Sequence, residues 1–238
     1  MEPPTPVVSG QLVTYWEFIV ENFSQLLFRT GEHAEIISIA IAIAVPIGVG
    51  LGILCTFDDR LATVVIWLAG IMMTIPSIAL FGILIPYFGI GAEPVIVALV
   101  LYSQLPVIRN TYVGLTDIEP AALEAGRAMG MTRLQLLRKV QLPKALPVIM
   151  AGVRNSVVIL IGIAAIGAFI GAGGLGTFIF DGIARADVPM IVVATIILSA
   201  LALLFDYGFG VTEQLFRLRN GEDIEPSRLT RVIQRVKA

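Results

Sequence analysis

Charge is scarce in this chain. Of 238 residues only 14% are charged, against about 25% in an ordinary soluble domain, while 57% are hydrophobic and the mean hydropathy is +0.89. That balance excludes a soluble globular domain and reads as an integral membrane protein. Cysteine occurs once, as Cys55, which excludes an internal disulfide and a cysteine-clustered metal site. At the end of an apolar run it reads as a small hydrophobe. Histidine also occurs once: His33 has no His or Cys neighbour and is expected at the membrane interface. No G-x-x-x-x-G-K-[ST] loop is present to cradle nucleotide phosphates, and no catalytic constellation stands out, so an enzyme is not expected. An ATP-driven process would need its ATP and Mg on another chain. The start, MEPPTPVVSG, is acidic and proline-rich with no positive segment before an apolar core. It does not read as a secretory signal and is expected to be a disordered tail.

What is present is a series of long apolar runs. Leu12 to Phe28 is amphipathic, with Thr14, Glu17, Glu21 and Ser24 or Gln25 as a polar stripe. It is expected as a helix lying in the interface, Tyr15 and Trp16 at headgroup depth, its acidic face pointing away from an anionic cytoplasmic leaflet. Ala34 to Cys55 is long enough, at about 1.5 Å per residue, to cross about 30 Å of hydrocarbon. Within it, Pro46 invites a kink, and Gly48 and Gly52 form a G-x-x-x-G pair that permits a close helix crossing. Leu61 to Pro86 is interrupted by Pro76 and reads either as one kinked span or as a span plus a broken piece. Tyr87 to Pro94 is expected as a loop. Further spans are expected over Val95 to Val113, Pro147 to Ile170 (with Arg154 near enough to its start to snorkel) and Met190 to Val211, with Gly171 to Pro189 as a loop. The divisions are 1–33 as tail and interfacial helix, 34–211 as a five-span all-α membrane domain with a charged loop at 117–146, and 212–238 as a polar tail.

That loop contains a charged island, PAALEAGRAMGMTRLQLLRKVQLP, from Pro120 to Pro143. Arg127, Arg133, Arg138 and Lys139 keep it out of hydrocarbon, where each such charge costs about 3 kcal/mol at mid-bilayer. Pro120 suits a first helical position and Gly130 a left-handed stop. Thr132 begins a capping box with Gln135, stapled by Met131 and Leu136. Leu142 precedes a proline, which disfavours α geometry and is expected to end the unit. Ala121, Ala125 and Ala128 give the first helix a small-residue face. With this island inside, of the sixteen Lys and Arg residues only Arg29 and Arg185 fall on the opposite side. The positive-inside rule then puts the N-terminus outside and the C-terminus in the cytoplasm.

The same residues carry a resemblance. Glu124-Ala125-Gly126, Gly130, Val140 and Leu142-Pro143 are spaced as in the EAA signature of ABC-importer permeases, Gly126 replacing the second Ala and Val140 an Ile. The likeness extends to Thr74-Ile75-Pro76-Ser77, to Tyr102 through Thr111 and to a glycine-rich loop after the fourth core helix, Gly171 to Gly176. It is nearest the permeases of osmoprotectant importers for glycine betaine, carnitine or choline. It implies a permease-like bundle whose loop is a coupling helix docking on a cytoplasmic ATPase. It also implies a second permease subunit, an extracytoplasmic solute-binding protein, the lipid bilayer as surroundings and no nucleic-acid partner. Methionine or sulfonate on the same architecture is the alternative. A proton-coupled carrier would need several intramembrane ionisable groups and usually internal repeats; one acid and no evident repeat are present.

Other motifs need weighing. Gly171 to Gly176 also satisfies G-x-G-x-x-G, but a dinucleotide fingerprint follows a strand and precedes a distant acid, and here a membrane span precedes it. Glu93, Asp181 and Asp187 are outer-loop acids. Asp206 is the one acid inside an apolar run and reads as lying near the inner interface beside Arg217 or Arg219, with a relay or gate as the sharper reading. Pro76, Tyr102, Gly173, Gly174 and Asp206 are the candidates for pathway or gate.

Overall fold

In a computed structural model, residues 7–219 are described, with side chains over 14–218. Among them there are helices and no strands. The order is α1 (Val7–Cys55), α2 (Asp59–Thr74), α3 (Ser77–Phe88), α4 (Ala92–Thr116), α5 (Pro120–Ala128), α6 (Arg133–Leu136), α7 (Leu142–Gly167), α8 (Gly176–Arg185) and α9 (Val188–Arg219). A π turn, Leu137–Gln141, joins α6 to α7, and a 3₁₀ turn, Ala168–Ile170, follows α7. Four stretches are long and apolar enough to cross a membrane, and the pair α2–α3, bent by 99°, passes the same test only when taken together.

Several expected boundaries move. The interfacial helix and the first span are one uninterrupted helix, α1, because nothing between Phe28 and Ala34 stops helical hydrogen bonding. The division at residue 33 is therefore not a break in structure. Helix already begins at Val7, inside the expected tail. The 87–94 loop shrinks to Gly89–Gly91, and α8 occupies the middle of the expected 171–189 loop. The last helix continues past Val211 to Arg219, while the rest of the polar tail lies outside the described residues.

The break between α2 and α3 answers the question left open at Pro76. Asp58 caps α2, its carboxylate accepting from the backbone N–H of Arg60 at 2.8 Å. The helix stops because Ile75 precedes proline and is extended (ψ 126°), as is Pro76 (ψ 132°). Leu61 to Pro86 is therefore broken and not merely kinked.

The chain forms two compact units. Among the described residues, one comprises those up to Ala40, Pro76–Leu99 and Leu160–Leu203. Its core holds Leu26, Phe178, Met190, Val193 and Ala194, with Phe18 edge-on to Phe178 at 6.1 Å. Gly176 is required here: a β-carbon would lie 2.0 Å from the Ala165 carbonyl oxygen. His33 is fully buried, its Nε2 3.1 Å from the Ile161 carbonyl oxygen. The histidine expected at the interface is thus buried within this unit, covered by the glycine loop. A β-carbon at Gly174 would lie 2.8 Å from His33 Nδ1, and the Gly174 N–H donates to Glu32 at 3.1 Å.

The other unit comprises Ile41–Ile75, Val100–Ile159 and the described residues from Leu204 onward. The G-x-x-x-G expectation holds. β-Carbons at Gly48 and Gly52 would sit 2.6 Å from Val107 and 2.5 Å from Thr111, so α1 and α4 cross at backbone distance. α7 approaches α4 similarly at Gly152, where a β-carbon would lie 2.6 Å from Asn110. Cys55 is buried with Ala62, Ala69 and Ile108, as a small hydrophobe should be.

Candidate functional site

The charged loop folds as its punctuation requires. Pro120 is at the N-terminus of α5, where its missing N–H has no partner to lose. Gly130 has φ +74°. Its N–H bonds the Arg127 carbonyl at 2.9 Å and the Met131 N–H bonds the Gly126 carbonyl at 3.1 Å, together a Schellman end. The Thr132–Gln135 capping box is present in both directions, at 2.9 and 3.3 Å. Nothing in this pairing is long-range.

Side-chain packing then closes the loop and fixes it on its scaffold. The Arg133 guanidinium lies 4.4 Å from the centre of the Phe57 ring, after the end of α1, a cation–π contact. Leu136 is buried, and a β-carbon at Gly126 would lie 2.5 Å from its Cδ1 and 3.5 Å from the Met131 sulfur. Gly126, where the EAA pattern has alanine, is thus the inward residue of α5, and glycine makes room for Leu136. Glu124, Ala125, Ala121 and Ala128 are exposed on the other side. Val140 and Leu142 are half-buried, and Leu142 packs with Leu137 against Leu115, Ala145 and Ile149.

Leu142 does not end the unit. It is α-helical (φ −61°, ψ −46°) and its N–H bonds Leu137, five residues back. The π turn resets the hydrogen-bond ladder, so Pro143 falls in the first turn of α7, where the lack of an N–H is tolerated. The pre-proline bias is overridden by this local rewinding.

Of the pathway candidates, Tyr102 is buried and its hydroxyl donates to the Ile75 carbonyl at 2.6 Å, bracing the break before Pro76. Gly173 and Gly174 have φ of +80° and +73° and lie against Glu32 and His33 in the first unit. Asp206 is held by Arg154; of the basic neighbours expected for it, Arg217 pairs with Glu213 and the side chain of Arg219 lies outside the described residues. Both its oxygens accept from the guanidinium, at 2.5 and 2.7 Å. Arg154 also lies 3.7 Å from Glu213, which pairs with Arg217 at 3.0 Å. Asp206 thus satisfies the Arg154 guanidinium from the side, across α7 and α9.

With this geometry in hand, comparison with known proteins is decisive. Residues 44–217 match the family model described as the binding-protein-dependent transport system inner membrane component. The chain belongs to this permease family. An osmoprotectant import permease protein of Salmonella typhimurium, OsmW, is 43% identical over 80% of this chain and 91% of its own. The glycine betaine/carnitine/choline transport system permease protein OpuCB of Bacillus subtilis is 41% identical, covering 83% and 91%. Among solved structures, a chain of the MetNI methionine ABC transporter in an inward-facing conformation superposes with a TM-score of 0.72 at 26% identity, over 82% of this chain and 98% of that one.

The permease match takes in the EAA loop, Arg154 and Asp206, and begins after Glu32 and His33. Sequence reasoning missed Glu32 altogether. The signal that would have found it is a run of glycines with no other way to satisfy its backbone donors. It also passed over Asn155.

Proposed function

We propose that this permease is the translocation subunit of an ATP-driven importer for small quaternary ammonium osmoprotectants of the glycine betaine, carnitine and choline kind. The observation that carries the solute class is the likeness, above 40% over four-fifths of the chain, to permeases named for such solutes. The permease family supports an ATPase and a solute-binding protein as partners in general; the full reading is two ATP-binding subunits holding ATP and Mg, a second permease subunit, and a binding protein that delivers the solute. The exposed Glu124–Ala125 side of α5, flanked by Ala121 and Ala128, is the docking face for the ATPase, and Gly130, Val140, Leu142 and Pro143 hold its angle. The charge distribution supports a cytoplasmic loop and an external N-terminus.

The experiment is reconstitution with the cognate binding protein and ATPase in liposomes. Uptake of radiolabelled glycine betaine, competed by choline or carnitine, is expected. Uptake of methionine or a sulfonate with no competition by glycine betaine would overturn the solute assignment and leave the permease architecture intact.

A further inference from the structure

The second unit holds a groove of about 490 Å³ whose lining includes Met73, Leu105, Arg109, Asn110, Asn155 and Ile159. Arg109 is on α4 and Asn155 on α7, both inside stretches long and apolar enough to span the membrane, and both side chains are exposed. An exposed arginine toward the cytoplasmic end of a span faces an aqueous space more cheaply than lipid. Asp206 answers Arg154 in the same unit, but among the described residues no acid lies within ion-pair distance of Arg109. Asn110 is turned back on its own helix, donating to the Pro106 carbonyl at 2.8 Å. A cation without a counter-ion, an amide and an apolar wall thus line one open groove.

We infer that this groove is a wall of the aqueous pathway and a transit site for the solute, in which Arg109 receives a carboxylate. Met73, Leu105 and Ile159 offer the methyl groups of a trimethylammonium end an apolar surface. The site takes zwitterions that carry a carboxylate, as glycine betaine and carnitine do. Choline, with a hydroxyl in that place, gains nothing from Arg109. This rests on the osmoprotectant reading for the identity of the solute, but the charge and wetness of the groove do not.

The test therefore has two arms on the complete reconstituted complex. In the first, Asn155→Cys in a Cys55→Ala background is treated with anionic sulfonatoethyl and cationic trimethylammonioethyl methanethiosulfonate. The ratio of anionic to cationic labelling rates, relative to Glu93→Cys in the first turn of α4, is expected to fall at least threefold when Arg109→Gln is added. No labelling from either side, or a ratio unmoved by Arg109→Gln, would overturn the inference whatever the solute proves to be. In the second arm, Arg109→Gln is expected to slow glycine betaine uptake at least tenfold and choline uptake less than twofold, with Arg109→Lys retaining most of the former. Equal losses for both solutes, or none, would overturn carboxylate recognition. A wild-type complex that moves neither solute would sink the osmoprotectant assignment, while the labelling arm still judges the groove.

Discussion

Replacing Gly130 separates backbone strain from packing, because its φ of +74° is strained for any L side chain while a β-carbon there would meet nothing within 4 Å. Any effect is therefore conformational. Alanine pays about 1–2 kcal/mol to hold a left-handed backbone, which is a factor of about 5 to 30 in the population of the correctly angled loop, at a tenfold change per 1.4 kcal/mol. Asparagine tolerates the region better, because its short side chain bonds locally, and valine is worse than alanine because it is β-branched. The Schellman bonds of Gly130 and Met131 at the end of α5 should loosen in the same order. Solute-stimulated ATP hydrolysis in liposomes should thus fall in the order Gly, Asn, Ala, Val, with each variant still inserting normally. Retention of the ATPase subunit on purification gives a second reading of the same equilibrium. Equal activity of Gly130→Ala and Gly130→Val, or an asparagine variant worse than alanine, would refute the strain argument.

Further outcomes follow from the close contacts and ion pairs. Gly176→Ala should give little stable protein, since the added carbon meets a backbone carbonyl at 2.0 Å, whereas Gly162→Ala, with open space around it, should have a wild-type thermal midpoint. Asp206→Asn should transport near the wild-type rate, because the amide still accepts from Arg154; loss of transport with intact assembly would instead favour a proton relay. A double-mutant cycle of Asp206→Leu with Arg154→Met should give a coupling of about 1 kcal/mol or more in thermal unfolding, moderated because the side chains are 30% and 40% exposed. Single cysteines at Asp181 and Lys139, without Cys55, should be labelled from opposite sides of the membrane, and labelling from one side would reject the orientation.

The loop was legible in sequence because its devices are local. Pro120, Gly130, Thr132 and Gln135 act on backbone groups within a few residues, so spacing alone specifies them. The partners of His33 and Asp206 were not legible, since Ile161 and Arg154 are far along the chain and only packing brings them near. Leu142 misled for a different reason: the pre-proline rule describes a preference of φ and ψ, and the π turn supplied a helical route around it. The helix α8 was hidden by its surroundings, a ten-residue amphipathic stretch among glycines that punctuate as loop. The break at Pro76 was visible as an interruption, but its extent depended on the extended geometry of Ile75.

The π turn at Leu137–Gln141 also gives the loop a mechanical character. On the α4 side, the chain leaves helix at Asp117–Glu119 before α5 begins, so that connection is a joint. On the other side, α6, the π turn and α7 form one unbroken rod from Arg133 onward. A push on the exposed face of α5 is therefore absorbed on one arm and delivered on the other. The solid arm carries Arg154, clamped to α9 by Asp206, and Asn155 in the groove. On the docking proposed for α5, a displacement there would reach those two neighbouring residues through α7, with Asp206 on α9 tied to it by a bidentate link.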